Sequence, residues 1–139
     1  MKILIICSKK FYPEIKEIKK KLEKKGHVIS LPNSYEDPEA EARAWSMGLH
    51  SEFKKRMFNQ SKYTIEQMDA VLCLNFDKGK LVNYIGGATF LELYEAFMNG
   101  KKIYLYHDIP EGMLYDEISG FDPIVINEDL ELIKDEEGE

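Results

Sequence analysis

Met68-Asp69-Ala70-Val71-Leu72-Cys73-Leu74-Asn75 is an apolar run closed by a polar residue, and Gly86-Gly87-Ala88-Thr89-Phe90-Leu91-Glu92 follows it by about ten residues. The first stretch reads as a strand over Ala70 to Asn75. The second reads as a sharp turn into a helix that ends near Gly100. Two adjacent glycines let the backbone bend and come close to a ligand. The first turn of the following helix presents free N–H groups and a positive dipole end, which suits a phosphate or carboxylate. Glu92 adds a carboxylate about one turn inside that helix. A carboxylate beside an anion-binding turn is expected where a sugar or nucleotide is cut rather than only bound.

The same strand-then-helix order extends in both directions. Lys2-Ile3-Leu4-Ile5-Ile6-Cys7 has the β-branched, continuous pattern of a strand buried on both faces. Phe11 to Lys25 reads as a helix, with Ile15, Ile18 and Leu22 at helical spacing and Gly26 as its C′ residue. His27 to Leu31 is a second strand, broken by Pro32-Asn33. Asp37-Pro38 reads as an N-cap with proline at the first helical position, opening a helical region to about Gln67 with a break near Gly48. Thr89 to Asn99 is a helix with Phe90, Leu93 and Phe97 inward. Lys102 to Tyr106 is a fourth strand, Met113 to Ser119 a short helix, and Pro123 to Ile126 a fifth strand. Residues 1–133 are expected to form one domain, and 134–139 an acidic, frayed tail.

This alternation predicts a parallel sheet covered on both faces, an α/β three-layer sandwich of flavodoxin-like or Rossmann-like type with five strands. Ligands of such sheets bind beyond the carboxyl ends of the strands, at the switch point. Four groups of polar residues fall on that rim: Ser8, Lys9 and Lys10; Asn75, Phe76 and Asp77; His107 and Asp108; and the stretch from Gly86 to Glu92.

Composition narrows the function. The 139 residues are 44% hydrophobic and 32% charged, enough for an ordinary core. The net charge of −6 argues against a nucleic-acid partner. The lysines between Lys9 and Lys25 alternate with Glu14, Glu17 and Glu23 and read as a solvated helix face. No apolar run approaches the ~20 residues of a membrane span, and the short apolar N-terminus lacks the marks of a signal peptide. Cys7 and Cys73 lie in apolar runs and are expected to be buried, reduced thiols, which suits a cytoplasmic address. No Cys/His/Asp cluster has metal-ligand spacing, and neither the phosphate-loop signature nor the serine-hydrolase elbow occurs. No cofactor is called for.

Each candidate has a plain structural reading beside the functional one. Thr89-x-x-Glu92 is a capping box, in which the two side chains satisfy backbone N–H groups and no chemistry is needed. Asn75 and Asp77 are suited to a turn leading into Lys78-Gly79. His107 suits an exposed surface position. Trp45, His50 and Arg56 suit packing or solvation.

The order of Met68-Asp69-Ala70-Val71-Leu72, a variable loop, a glycine turn, Glu92-Leu93-x-x-Ala96 and Asn99-Gly100-Lys101-Lys102-Ile103 resembles the nucleoside 2-deoxyribosyltransferase superfamily, which includes deoxynucleoside-monophosphate N-glycosidases. The resemblance covers most of the chain and is specific from Asp69 to Tyr106. Gly86-Gly87-x-Thr89-x-x-Glu92 is also similar, more weakly, to the motif of lysine-decarboxylase-like nucleotide phosphoribohydrolases. Both imply Glu92 at an N-glycosidic bond. Tyr94 replaces the small residue usual in the first family, Ser8-Lys9-Lys10-Phe11-Tyr12 replaces its motif after the first strand, and no aspartate stands near Ser61, where that family has a sugar-binding one.

The resemblance implies a possible enzyme, a deoxyribosyltransferase or nucleotide N-glycosidase. Glu92 attacks C1′ or stabilises a cationic sugar, with Lys9 or the helix dipole keeping its carboxylate ionised. A 5′-phosphate rests on Gly86, Gly87, Ala88 and Thr89, aided by Ser8 or Lys9. Asn75 or Asp77 orients the sugar or base, and His107 is an outside candidate for protonating the leaving base. The partner is a small nucleoside or nucleotide. The family's habit implies a homodimer or higher homo-oligomer, with contacts at Asp108 to Asp122. The alternative function is a non-catalytic nucleotide-binding or sensing module on the same fold. A third reading is a purely structural or partner-binding protein, in which the aromatics Tyr104, Tyr106, Tyr115 and Phe121 line an oligomer interface.

Overall fold

A computed structural model describes residues 1–135 of the chain. Residues 136–139 of the expected tail lie outside the described residues. Five strands form one sheet in the order β2-β1-β3-β4-β5. They are β1 (Lys2–Ile6), β2 (Val28–Ser30), β3 (Ala70–Cys73), β4 (Lys102–Leu105) and β5 (Ile124–Val125), and every neighbouring pair is parallel. This is the flavodoxin-like arrangement, and its switch point lies where β1 and β3 meet.

Strand alternation divides the core into two layers. Ile3, Ile5, Ala70, Leu72, Leu74 and Tyr104 pack on one face with Phe11, Ile15, Ile18 and Leu22. Leu4, Ile6, Val71, Cys73, Ile103 and Leu105 pack on the other with Ile65, Leu93, Ala96 and Ile118. The first face is covered by α1 (Ile15–Lys24); the second is covered by α3 (His50–Glu66), α4 (Gly87–Met98) and α5 (Tyr115–Gly120). Cys7 and Cys73 are buried free thiols, as expected. No helix among the described residues is long and apolar enough to cross a membrane.

The departures from expectation have local causes. The first helix enters through a 3-10 segment, Lys9–Glu14, which contains Pro13; α1 begins only at Ile15. Proline has no N–H to donate and fixes φ, so the α-helical ladder starts beyond it. Gly26 follows α1 at φ +93°, the left-handed position that glycine takes without strain. The second helical region is broken at Gly48, as expected, into α2 (Ala40–Ser46) and α3. However, α2 starts at Ala40 rather than at Pro38, and the Asp37 carboxylate is engaged by the Arg43 guanidinium. Tyr104 is a core residue, 1% exposed, not part of an outer aromatic surface. Phe97 is 45% exposed, and Ala96 takes the buried place beside Leu93. Helix α2 buries none of its residues, although Trp45 is 64% exposed on it.

Candidate functional site

Helix α4 begins at Gly87 behind an extended Gly86, whose φ is −83° and ψ 174°. A Cβ on Gly86 would lie 2.9 Å from the Tyr84 hydroxyl, so only glycine leaves that ring undisturbed. The Tyr84 ring is in turn faced by the Lys78 ammonium, 4.6 Å from its centroid. The first helical bond runs from Phe90 N–H to the Gly86 carbonyl at 2.9 Å. The N–H groups of Gly87, Ala88 and Thr89 precede that ladder, at the positive end of a twelve-residue helix.

The capping box does not form. No side chain caps Gly86, and Thr89 is buried at the third helical position. Because the helix starts two residues earlier than Thr89, Glu92 lies too far along it to reach back to the helix end. Its carboxylate crosses instead to α3, where the Ser61 hydroxyl donates to Glu92 Oε2 at 2.9 Å. Asn33 Nδ2 donates to Ser61 Oγ at 2.7 Å and to the Met57 carbonyl at 3.0 Å. With Asn33 donating to its oxygen, Ser61 has its own hydrogen left for Glu92, so the three residues form a directed chain.

Burial pushes the Glu92 carboxyl up to about 7, against the pull of the Ser61 hydrogen bond and the Lys54 charge. The expectation that Lys9 holds it ionised is corrected, because Lys9 Nζ donates to the Pro38 carbonyl at 2.9 Å. Lys54, on α3, is the cation that acts on Glu92.

Glu92 lines a cavity of about 480 Å³ between the segment after β1, helix α3 and the start of α4. That volume is in the range of small-molecule sites. Phe53, Met57 and Phe58 supply an apolar wall, while Lys9, Lys10, Lys54 and Lys78 contribute cations and Glu41 a second carboxylate. Cys7 and Tyr12 also face it. Burial, then the charge of Glu92, pushes the Cys7 thiol up to about 12, so it stays protonated and is no nucleophile at neutral pH. The Tyr12 phenol is raised as well, by burial first and then by Cys7, Glu92 and Glu41, and remains a donor.

Of the residues expected at the site, Ser8, Lys9, Gly86, Gly87, Ala88, Thr89 and Glu92 line this cavity. Asn75, Asp77 and His107 are not among its lining residues. Asn75 is fully buried; its amide donates to the carbonyls of His107 and Asp108, both at 3.0 Å, and accepts the His107 N–H at 2.8 Å. It joins the end of β3 to the end of β4. Asp77 accepts the Asn83 N–H at 3.0 Å and closes the turn in which Lys78 and Leu81 pair. His107 lies against Phe76 and Tyr106 with Nε2 3.5 Å from Glu128. The three rim residues thus serve loops around the strand ends and do not enter the cavity.

Sequence reading missed Asn33, Glu41, Lys54 and Ser61 as parts of one site. Ser61 did carry a signal. In the run Phe53, Met57, Ser61, Ile65 it is the polar member of an apolar i, i+4 stripe, and it is 8% exposed. Asn33 had only the look of a strand breaker. Among the described residues, no group of three or more His, Cys, Asp or Glu side chains is placed to hold a metal ion.

No protein-family model and no curated protein sequence matches the chain. Two solved structures resemble it. A CMP N-glycosidase of Clostridium botulinum is 15% identical with a TM-score of 0.47, over 90% of this chain and 85% of that one. A 2-deoxyribosyltransferase of Bacillus psychrosaccharolyticus is 17% identical with a TM-score of 0.59, over 89% of this chain and 82% of that one, and with it the chain shares its fold.

Proposed function

We propose that this protein cleaves or transfers the N-glycosidic bond of a nucleoside or nucleotide, with Glu92 as the catalytic residue. The observation that carries the reading is the placement of Glu92. Its carboxylate, borne on the sixth residue of α4, enters the cavity and is held there by Ser61, itself held by Asn33. The shared fold with a 2-deoxyribosyltransferase supports the same chemistry, and the N–H groups of Gly87 to Thr89 with Lys78 and Lys10 suit a 5′-phosphate.

In this mechanism, a lone pair of Glu92 forms a bond to C1′ as the C1′–N bond breaks. The electron pair of that bond leaves with the base, which takes up a proton. Water, or a second base, then attacks C1′ of the glycosyl ester, releases the sugar or the new nucleoside, and returns the carboxylate.

Attack needs the ionised form, so the raised Glu92 carboxyl sets the pH dependence. The rate of base release at low substrate is expected to rise with pH and to level off above about 7, the value to which burial pushes Glu92. Ser61→Ala is expected to move the rise to higher pH, since the hydroxyl that favours the charged form is gone. A rate that falls over the same interval would assign Glu92 the role of acid instead.

One observation favours the second reading, a binding or sensing module. Near neutral pH a carboxyl raised to about 7 is protonated about half the time, which weakens it as a nucleophile. Calorimetric titration with nucleotides, followed by chromatography of the same samples after hours, separates the two. Bound and intact nucleotide supports sensing; free base supports cleavage.

A further inference from the structure

Two acceptors compete for the hydroxyl hydrogen of Ser61, and Asn33 decides between them. A serine inside a helix ordinarily turns its hydroxyl back onto the carbonyl four residues earlier. For Ser61 that carbonyl belongs to Met57, and both residues lie on α3. A carbonyl oxygen has two lone pairs. One takes the Ser61 N–H in the helical ladder. Asn33 Nδ2 takes the other at 3.0 Å, and the same nitrogen donates to Ser61 Oγ at 2.7 Å.

Chemistry fixes the orientation of the amide. A carbonyl only accepts, so the group that faces Met57 is the NH2 of Asn33 and not its oxygen. That nitrogen donates and does not accept, so Ser61 Oγ takes its hydrogen. The hydroxyl hydrogen is left with Glu92 Oε2, 2.9 Å away. A hydroxyl that donates binds a carboxylate more strongly than a neutral carboxyl. The other titratable groups around Glu92 play different parts. Cys7 and Tyr12 beyond β1 and Cys73 on β3 keep their protons at neutral pH. Lys54 on α3 acts on Glu92 through its charge, and Glu41 on α2 lies against Lys54 and His50. Lys9, Lys10 and Lys78 line the same cavity. Lys62 and Glu95 line a smaller one, of about 210 Å³, with Ser61 and Glu92.

We infer that Asn33 is a positioning residue: its amide closes the Met57 carbonyl to the Ser61 hydroxyl and so turns that hydroxyl toward Glu92. For its bearing on the reaction, the inference rests on the reading of Glu92 as the reacting carboxylate. Without the amide, the Met57 carbonyl regains a free lone pair and the hydroxyl swings back to its own helix. Ser61 then offers Glu92 a lone pair instead of a hydrogen. A protonated carboxyl can donate to that lone pair, and a carboxylate cannot. A mere tie between the end of β2 and α3 would behave in the opposite way. Its loss would loosen the cavity wall, admit water and let Glu92 relax toward the ordinary 4.5. Asn33 itself is exposed, so its replacement leaves the fold in place.

The test follows the Glu92 carboxyl carbon by NMR across pH, in the full chain, for wild type, Asn33→Ala, Ser61→Ala and the double variant. Asn33→Ala is expected to move the Glu92 titration up by about one pH unit. In the Ser61→Ala background the same change is expected to move it no further, since the hydroxyl that Asn33 turns is gone. A titration that stays in place or falls in Asn33→Ala overturns the inference. So does an equal rise with and without the Ser61 hydroxyl. Base release at low substrate supplies a second readout: Asn33→Ala is expected to lose about fivefold at pH 7 and to recover by pH 9. If wild type releases no base, the reading of Glu92 as the reacting carboxylate falls, while the NMR titration still decides the part played by Asn33.

Discussion

Glu92→Gln is expected to lower base release by at least about a thousandfold while leaving nucleotide binding in place. The amide preserves the shape of the side chain and can still accept from Ser61, so the cavity keeps its form. It cannot supply the electron pair that bonds to C1′. The same change has a second, opposite signature in stability. The folded protein holds the Glu92 proton up to about pH 7, whereas the unfolded chain releases it near 4.5. Between those values the folded state binds more protons, so the contribution of Glu92 is most favourable below 4.5 and is lost as pH rises through 7. Above 7 the ionised, half-buried carboxylate costs about 1–3 kcal/mol, eased by solvent in the cavity. The variant carries no such cost. Thermal melts at pH 5 and pH 8 should therefore show the variant gaining on wild type at the higher pH. A variant that cleaves as fast as wild type and melts in parallel with it at both pH values would make Glu92 an ordinary structural residue.

Asn75→Asp is expected to be the most damaging conservative change in the chain, at about 3–5 kcal/mol. The wild-type amide donates to two carbonyl oxygens and accepts one N–H, all in a fully buried position. An aspartate has the same shape but no donors when ionised. It would set a negative charge against the His107 and Asp108 carbonyls with no water to separate them. Asn75→Ala, which removes the donors without adding charge, is expected to cost less, about 2–3 kcal/mol, and leaves two carbonyls and an N–H unpaired. Urea unfolding of the two variants measures both. A residue serving substrate recognition would behave otherwise: either variant would impair nucleotide binding and leave the midpoint of unfolding unchanged.

The fold was legible because its signal is long and repeated. Continuous β-branched runs at Lys2–Ile6 and Ala70–Cys73 admit little other than strands buried on both faces, and helices between them leave a parallel sheet as the economical outcome. The glycine turn and Glu92 were legible because two adjacent glycines open a helix in the stretch between one strand and the next. The rest of the site comes from further away in the chain. Ser61 lies 31 positions from Glu92, and Asn33 lies 28 from Ser61. Only the crossing of α3 between β2 and β3 brings them together. The rule that ligands bind beyond the strand ends also named Asn75, Asp77 and His107. The rule speaks to strand ends and not to the direction of each side chain, and these three turn toward loop backbone or neighbouring rings. Helix ends were the weakest reading, because Thr89-x-x-Glu92 and Asp37-Pro38 satisfy capping patterns whose side chains found stronger partners in Ser61 and Arg43.

Helix α2 adds no side chain to either core layer; Glu41 joins it to His50 and Lys54 of α3, Trp45 stacks on His50, and Arg43 pairs with Asp37 just ahead of the helix. The charged contacts among these weaken as ionic strength rises, because screening shortens from about 8 Å at physiological salt to about 3 Å at 1 M. The β1, β3 and β4 strands, held by apolar packing, are indifferent to that change. In concentrated salt the amide protons of residues 40–46 should exchange with solvent faster while those of the sheet keep their protection. The Glu41 side of the cavity is then held in part by contacts that dissolved ions weaken, whereas the side beside β1 is held by the sheet.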